Sequence, residues 1–379
     1  MKLLHAADLQ IGAQRKIPGY LERQRKALQE LQEIAQEEQV DAILLVGDIF
    51  EHCRPAQEEI DLVLRFLDYV DDKLGIPVII LVGNHEYTQK SLQGYHALKT
   101  IQLIQHRFQH LEVLDELTVL DLDKFAVVAV PPAKTKEDEL DRLSWPEQEV
   151  LNSGKPVVLL LHVTLQGSVF RGMPQDRGFD PLVLDTCGVD YIALGDIHQR
   201  QKAKCQTPAY YPGSLIQKDF GEDESLCGVL IVEDSSGSIT VRPRRLKKPQ
   251  ILQAFDVTAA EFEQLADSIP DNCYAKVRVV GSAEELRDLK LKKVEKALER
   301  KRSKIVDLTR RVQRSLLSID AHEEGLSTEE VQKRFQERLQ RGSPAEELKG
   351  FIESATWKVD PTQLLKECSD VLVRVEGRS

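Results

Sequence analysis

The chain has only six cysteines, and no two of them form a C-x-x-C pair. Their scattered positions argue against a zinc knuckle and a disulfide framework, and they are typical of a reducing compartment. No apolar run approaches the roughly 18 residues that a membrane-spanning helix needs. His5 and Asp8 lie too close to the beginning of the sequence to leave room for the apolar core of a signal peptide. We therefore expect a cytoplasmic protein that does not enter a membrane.

The chain also lacks an excess of positive charge, because 51 Lys and Arg residues stand against 62 Asp and Glu residues. This balance excludes a polycation that binds nucleic acid over its whole surface, so any such contact must be local. The chain is 41% hydrophobic and 30% charged, as in soluble globular proteins. Its 379 residues are enough for two or three domains, each with its own core.

Short apolar runs that end in polar residues recur through the first two thirds of the chain, at residues 1–12, 42–51, 77–86, 156–165 and 190–199. Continuous Val, Ile and Leu runs of this length predict strands that are buried on both faces. Helical patterns lie between them, most clearly over residues 20–39. The alternation predicts an α/β domain whose sheets are covered by helices. His5 lies inside the first strand, and we expect it to be a packed core histidine.

Polar side chains follow these strands at their carboxyl ends: Asp8, Gln10, Asp48, Asn84, His85, His162, Asp196 and His198. One such residue alone is usually a cap or turn residue. Five strands that all carry such polar residues to one edge are harder to explain as caps and turns. In open α/β sheets, ligands bind beyond the carboxyl ends of the strands, which is the edge in question. Carboxylate, imidazole and amide oxygen without thiolate suit manganese, magnesium, iron or zinc. Without His85, seven candidate ligands are too many for one ion and suit two.

The motifs "D-x-Q", "GDIFE", "GNHE", "LLH" and "GDIH", in this order and spacing, resemble those of the calcineurin-like metallophosphoesterases. More narrowly, "MKLLHAADLQIG" and "AYYPGSLIQKDFGE" resemble SbcD-type DNA repair exonucleases, the bacterial relatives of the nuclease subunit in double-strand-break repair. The resemblance implies a metallophosphoesterase sheet sandwich flanked by helices over residues 1–245. It implies a small α+β capping domain over residues 250–314 and a helical tail over residues 315–379.

The resemblance also assigns seven metal ligands: Asp8, Gln10 and His198 for a first ion, Asn84, His162 and Asp196 for a second, and Asp48 as the bridge. His85 would be the catalytic residue that stabilises the scissile phosphate or protonates the leaving oxygen while a metal-activated water attacks phosphorus.

Gln10 and Asp196 depart from the usual pattern of the family, which has histidine at both positions. They shift the ligand set from nitrogen toward oxygen, which favours manganese, or magnesium, over zinc. A site that has lost its activity is the alternative that these two residues leave open.

The capping region is predicted to have the order β-α-β-α-β, with a strand over 251–258, a helix over 259–269, a strand over 275–282, one long helix from about Ala283 to Lys301 and a strand over 304–312. Residues 285–314 carry twelve Lys or Arg and five Asp or Glu residues. Such a run is typical of a solvated helix face, and its place in the capping domain favours DNA-phosphate contacts. The candidate DNA-binding residues are Arg54, Lys218, Lys292, Lys293 and Lys296.

The tail over residues 315–379 shows helical patterns that follow Ser or Asp caps. Its helices either pack on the capping domain or dock on a partner. The resemblance implies a coiled-coil ATPase of the SbcC type as this partner, which we favour, and it also implies a homodimer.

The leading hypothesis is therefore a dinuclear, manganese-dependent DNA nuclease in double-strand-break repair. The resemblance implies exonuclease activity on duplex ends and endonuclease activity on single strands. A small-molecule phosphodiesterase or phosphatase of the same superfamily is an alternative, because a fold does not fix a substrate. Protein phosphatases carry "GDxxDRG" where this chain has "GDIFEHC", which argues against that class. The third hypothesis is a non-catalytic scaffold that binds DNA ends.

Overall fold

The computed structural model describes residues 1–87, 95–133, 135–143, 154–235, 237–247 and 250–312. The strands are β1 (Lys2–Ala6), β2 (Ala42–Val46), β3 (Val78–Leu81), β4 (Leu111–Leu114), β5 (Thr118–Asp121), β6 (Ala126–Val130), β7 (Val157–His162), β8 (Val169–Phe170), β9 (Met173–Pro174), β10 (Tyr191–Gly195), β11 (Gln201–Lys202), β12 (Ala209–Tyr211), β13 (Val229–Ser235), β14 (Ser238–Arg244), β15 (Ile251–Thr258), β16 (Cys273–Gly281) and β17 (Lys304–Val312).

The α-helices are α1 (Tyr20–Glu38), α2 (Gln57–Tyr69), α3 (Lys99–Ile104), α4 (Lys136–Leu143), α5 (Leu265–Ser268), α6 (Ala283–Arg287) and α7 (Leu291–Arg300). Short 3₁₀ helices lie at Gln105–Arg107, Pro181–Thr186, Glu224–Leu226 and Phe262–Gln264, and a π-helical turn at Val70–Leu74 extends α2. None of the helices within the described residues combines the length and the apolar character of a membrane span.

Two six-stranded sheets form the α/β architecture, with the orders β14-β13-β1-β2-β3-β4 and β11-β12-β10-β7-β6-β5. In the first sheet, β1 to β4 are parallel neighbours. In the second sheet, β6, β7, β10 and β12 are parallel neighbours. Because parallel strands end at the same edge, the polar residues that follow β1, β2, β3, β7 and β10 are brought toward one another. The predicted α/β fold class is confirmed.

Strand β2 shows how the sheets pack. Leu44 on one face belongs to an apolar cluster that contains Leu160 of β7, in the other sheet. Leu45 on the opposite face belongs to a cluster that contains Leu31 of α1. Successive side chains of a strand point to opposite faces, so both must be apolar when both faces are covered. This double burial explains the continuous apolar runs of the sequence.

His5 joins the two sheets inside the core, as the sequence predicts. Its side chain is fully buried. Its Nδ1 lies 2.9 Å from the Tyr191 hydroxyl, and its Nε2 lies 3.1 Å from the Leu194 carbonyl oxygen. Burial lowers the pKa of His5 to about 3, so the ring is neutral and donates to Leu194 through Nε2.

The strands of the third sheet, in the order β15-β16-β17, lie close to their predicted positions. The prediction of one long helix from Ala283 to Lys301 is wrong, because α6 ends at Arg287 and α7 begins at Leu291. Leu286 of α6 and Val294 of α7 are both buried. Between them, Lys290 has a φ of −81° and a ψ of 56°, which lies outside the helical region and interrupts the helix.

The chain divides into two compact units. The first comprises Met1–Val257, Glu261–Arg278 and Lys290–Thr309; the described part of the second comprises Thr258–Ala260, Val279–Leu289 and residues 310–312. The predicted domain limits at 245, 250 and 314 remain predictions. The predicted tail over residues 315–379 lies outside the described residues.

Candidate metal centre

The structure brings all seven candidate ligands into one connected group. One ligand atom from each of Asp8, Asp48 and His162 lies within 4.8 Å of the other two. Four further contacts attach Gln10, Asn84, Asp196 and His198 to these three residues. The side chains that the sequence analysis singled out at the strand ends therefore lie together, and their role as metal ligands stays a prediction.

The backbone at this edge adopts a conformation that is uncommon for residues other than glycine. Asp8, Gln10, Asp48 and Asp196 all have positive φ angles, of 52°, 49°, 53° and 95°. Such conformations cost free energy and cluster at functional sites, where surrounding contacts hold them. One such contact is the hydrogen bond from the Asp8 N–H to the Gly47 carbonyl oxygen, at 3.1 Å.

The glycines in front of the ligands permit close approach. A Cβ atom at Gly195 would lie 2.0 Å from the Val46 carbonyl oxygen and 2.5 Å from Nδ1 of His162. A Cβ atom at Gly47 would lie 2.1 Å from the same Nδ1. The "GD" pairs of the sequence therefore combine a ligand with a residue that leaves room for the neighbouring strand.

Asp48 lies at the centre of the group and is 1% exposed. Its Oδ2 accepts a hydrogen bond of 2.9 Å from Nε2 of Gln10. Its Oδ1 accepts one of 3.0 Å from the backbone N–H of His85. Burial alone would raise the pKa of Asp48, but the charge and hydrogen bond of His162 outweigh it, and the pKa falls to about 2. Asp48 is therefore an anion at neutral pH.

Gln10 presents its amide oxygen to the same space. The side chain is 2% exposed, and its Oε1 is buried and has no hydrogen-bond partner among the residues that the structure describes. A buried carbonyl oxygen without a hydrogen-bond partner costs free energy. A bound cation or a hydrogen-bond donor at this atom would offset that cost. The nitrogen of the same amide donates to Asp48 and so fixes which end faces that space.

His162 is buried with an acceptor at each ring nitrogen. Its Nδ1 donates to the Val46 carbonyl oxygen at 2.9 Å, which leaves Nε2 for the cluster. This Nε2 lies 2.9 Å from Oδ1 of Asn84 and 3.2 Å from Oδ1 of Asp48. Burial lowers the pKa of His162, but the charge of Asp48 more than offsets it, so the pKa is raised well above its usual value. A metal ion at Nε2 would replace the proton there.

Asp196 is held by a hydroxyl that the sequence analysis did not single out. Thr164 Oγ1 donates a short hydrogen bond to Asp196 Oδ2. The other oxygen, Oδ1, lies 3.9 Å from Nε2 of His162. The Asp196 backbone N–H also lies 3.2 Å from Asp8 Oδ1, which links the ends of the two sheets. Asp196 thus keeps one carboxylate oxygen toward the group.

His198 is oriented by a second residue that the sequence analysis missed. Its Nδ1 lies 2.7 Å from Oε1 of Glu222, and its Nε2 lies 3.9 Å from Oδ1 of Asp8. Burial lowers the pKa of His198, but the hydrogen bond to Glu222 and the charge of Asp8 more than offset it, so the pKa is raised. Glu222 lies in the "PGSLIQKDFGE" segment, where the sequence showed no obvious catalytic group.

Glu86 is a third missed residue, although it is the last letter of "GNHE". Its carboxylate is fully buried and accepts backbone hydrogen bonds from Asp48 at 3.1 Å, Gly83 at 2.8 Å and Phe50 at 2.9 Å. Burial, together with the charge of Asp48, raises the pKa of Glu86 to about 8. Glu86 thus ties the loop that carries Asp48 to the loop after β3.

His85 differs from the candidate ligands in its access to solvent. Its side chain is 39% exposed, whereas that of His162 is 1% exposed. Its Nδ1 lies 3.2 Å from the Glu51 carbonyl oxygen, and its Nε2 lies 3.9 Å from Asp48 Oδ2. Hydrogen bonding at Nδ1 leaves Nε2 beside the cluster and accessible to a molecule that approaches from solvent.

The electrostatics fit a bound cation. Three carboxylates, those of Asp8, Asp48 and Asp196, lie in one group, and burial raises the pKa of Asp8 to about 6. Crowded buried carboxylates repel one another unless positive charge compensates them. The unpartnered Oε1 of Gln10 and the lack of thiolate among the donors point to hard divalent ions.

The candidate DNA-binding residues lie in more exposed surroundings. Lys218 Nζ lies 3.0 Å from Oε2 of Glu51, and Lys293 Nζ lies 2.8 Å from Oε2 of Glu263. Lys293 is exposed, and so are the remaining candidates, Arg54, Lys292 and Lys296.

A family model for "Calcineurin-like phosphoesterase" matches residues 1–200. The D subunit of nuclease SbcCD from Staphylococcus epidermidis is 23% identical over 284 residues, which cover 70% of this chain and 74% of that protein. Its counterpart from Staphylococcus saprophyticus is 24% identical over 282 residues, or 68% and 72% of the two chains. DNA double-strand break repair protein Mre11 of Archaeoglobus fulgidus is 27% identical over 233 residues, or 59% and 52%.

Proposed function

The chain belongs to the calcineurin-like phosphoesterase family, and from this membership we propose that it is a dinuclear-metal DNA nuclease of double-strand-break repair. The observation that carries the proposal is the group of seven oxygen and nitrogen donors around Asp48, which includes an unpartnered buried amide oxygen at Gln10. Relatives named as nuclease and double-strand break repair proteins support DNA as the substrate.

Two ions would be held by the residues assigned from the family pattern: Asp8, Gln10 and His198 for the first, Asn84, His162 and Asp196 for the second, and Asp48 for both. Bound divalent ions polarise a phosphodiester and activate a water for in-line attack. The share of oxygen donors favours manganese, with magnesium as the second choice. The negative charges of Asp8, Asp48 and Asp196 would then be balanced by the ions.

His85 is the proposed catalytic residue. Because Nδ1–H is directed at the Glu51 carbonyl oxygen, Nε2 is the ring nitrogen left for the substrate. The protonated ring would donate a hydrogen bond through Nε2 to a phosphate oxygen, or give that proton to the leaving oxygen. The backbone N–H of His85 donates to Asp48, so the catalytic residue and the proposed bridging ligand are held together.

We further propose that DNA phosphates are bound by five basic side chains: Arg54, Lys218, Lys292, Lys293 and Lys296. The Lys218–Glu51 pair would have to open for such a contact. The exonuclease and endonuclease activities, the SbcC-type ATPase partner at residues 315–379, the homodimer and the cytoplasmic location are part of the same proposal. Copurification with the ATPase, before and after truncation near Ser315, tests the partner.

The experiment is cleavage of end-labelled duplex and single-stranded DNA with manganese, magnesium or zinc. We expect cleavage to be fastest with manganese, to be abolished in His85→Gln, and to persist in His106→Gln, whose histidine is exposed on a 3₁₀ helix. Hydrolysis of a generic phosphodiester without DNA cleavage would contradict the nuclease proposal and favour a small-molecule substrate. Fastest cleavage with zinc would contradict the metal assignment.

A further inference from the structure

We propose that Glu222 is a positioning residue for His198, and that Gln217 couples it, and hence the first metal site, to strand β15. This inference rests on the proposed function, because it concerns one of the proposed ligands. It gives a role to the segment over residues 212–222, which provides none of the proposed metal ligands.

The carboxylate of Glu222 holds two donors at once. Its Oε1 lies 2.7 Å from Nδ1 of His198, and its Oε2 accepts a hydrogen bond of 2.7 Å from the backbone N–H of Lys218. A carboxylate that accepts from Nδ1–H leaves Nε2 of the imidazole as the coordinating atom and fixes the plane of the ring. That Nε2 faces Asp8 at 3.9 Å, on the side of the cluster. Glu222 therefore sets both the tautomer and the direction of this ligand.

A second contact fixes the ligand's own backbone to the same segment. The N–H of Ser214 donates to the carbonyl oxygen of His198 at 3.2 Å. Ser214, near the start of the segment, and Glu222, at its end, thus both contact His198. A displacement of the segment would move the imidazole as well as its backbone.

Gln217, between these two ends, is 4% exposed and bound to strand β15. Its Oε1 accepts from the Leu252 N–H at 2.8 Å, and its Nε2 donates to the Leu252 carbonyl oxygen at 2.9 Å. The same Nε2 lies 2.7 Å from the Glu222 carbonyl oxygen. The Gln217 amide thus pairs with the backbone N–H and carbonyl of Leu252. It also holds the backbone of Glu222, the residue that orients His198. Phe220 of the segment also packs in an apolar cluster with Leu252.

The test uses a change that preserves size. In Glu222→Gln, the side chain keeps one acceptor, while two donors, His198 Nδ1–H and the Lys218 N–H, both need one. The matched control is Glu224→Gln, because Glu224 lies two positions after Glu222, at the start of a 3₁₀ helix, and pairs with Arg245 at 2.5 Å. Exposed pairs of this kind contribute little to stability.

The readouts are manganese binding, followed by the electron paramagnetic resonance of free Mn²⁺, and the ¹⁵N–¹H signals of the histidine rings in the metal-free protein. We expect Glu222→Gln to weaken the binding of one of two manganese ions by roughly 10- to 100-fold and to remove the His198 Nδ1–H signal. Glu224→Gln should leave both unchanged. Native manganese affinity together with an unchanged Nδ1–H signal in Glu222→Gln would overturn the proposal.

The coupling to β15 has its own variant, Gln217→Leu, which keeps the Glu222 carboxylate and removes the tie to Leu252. We expect a several-fold loss of affinity for the same manganese ion, smaller than in Glu222→Gln. Unchanged affinity would overturn the coupling. None of these readouts needs DNA cleavage. A wild-type protein that binds two manganese ions and cleaves no DNA would contradict the proposed nuclease. The positioning role would still be decided by the manganese affinities of the variants.

Discussion

The edge that carries the seven donors and the surface of helix α7 use polar residues in opposite ways. At the edge, Asp8, Asp48, Gln10 and His162 are each at most 3% exposed and are held by neighbouring groups. On α7, charged residues point to solvent, and the buried residues are Val294 and Leu298. A buried donor set fixes the position of an ion to a fraction of an ångström, whereas an exposed basic face attracts phosphate without fixing it.

Because of this difference, we expect the donor-carrying edge and helix α7 to respond differently to substitution. At the edge, one changed atom leaves buried partners unsatisfied, so effects should be large and local. On α7, each lysine adds a screened charge, so effects should be small, graded and dependent on salt. The predictions below test this contrast, from the largest expected effect to the smallest.

The largest effect is expected for Asp48→Asn, which removes a negative charge from the proposed bridge. We expect manganese-dependent cleavage and manganese affinity to fall by at least about 100-fold, since even partners that only orient a ligand reach that size. The control is Asp61→Asn, an exposed position on α2 that pairs with Arg65 at 3.9 Å. A loss below tenfold in the correctly folded variant would argue against a bridging role.

Gly195→Ala should destabilise the protein by about 3 kcal/mol, because its Cβ would overlap the Val46 carbonyl and the His162 ring. Gly75→Ala is the contrasting variant, since a Cβ there meets nothing within 4 Å and only the positive φ of 63° is strained. That backbone strain costs about 1 kcal/mol. Urea unfolding of the metal-free proteins measures both, and equal losses would contradict the close-approach argument.

His5 should make stability depend on pH. Its pKa is lowered to about 3 in the folded protein, so the unfolded chain binds a proton first as the pH falls below the ordinary value of 6.5. Stability is therefore complete above that pH and falls toward pH 3, by about 2 kcal/mol between pH 7 and pH 5. In His5→Gln this part of the loss should vanish, and in His106→Gln it should remain. An identical pH dependence in His5→Gln and wild type, measured by urea unfolding without metal, would refute the assignment.

The smallest effect per residue is expected on α7. Replacement of Lys292, Lys293 and Lys296 by Glu should weaken DNA binding and reduce its salt dependence, by about 0.9 in the logarithmic slope for each phosphate that is no longer neutralised. Stability should hardly change, because the three side chains are exposed. Fluorescence anisotropy over a range of salt concentrations measures the slope. An unchanged slope would remove α7 from the proposed DNA surface.

The positions of the candidate ligands could be predicted from sequence because each lies at the end of a buried strand or within four residues after it. Parallel strands end together, so local patterns at residues 8, 48 and 162 become neighbours without further information. The residues that hold the ligands were not visible in this way. Glu222 is hydrogen-bonded to His198, 24 positions away in the sequence. Thr164 is hydrogen-bonded to Asp196, 32 positions away. Such pairs depend on how loops cross, which no strand or helix period encodes.

Helix boundaries were a second limit. Periodicity predicted α1 over 20–39, and the helix covers Tyr20–Glu38, because its apolar residues keep one stripe. In the run from Ala283 to Lys301, helix-favouring residues continue through the point where the helix breaks, so composition alone suggested one element. The break lies at Lys290, whose ψ of 56° is not helical, and no Gly or Pro marks it in the sequence.

The central claim is that the strand-end cluster binds two metal ions around Asp48. The most direct test is anomalous diffraction at the manganese absorption edge from crystals grown with manganese. The account predicts two peaks, roughly 3.5–4 Å apart, with Asp48 between them. A single peak, or peaks away from Asp8, Asp48 and His162, would contradict it.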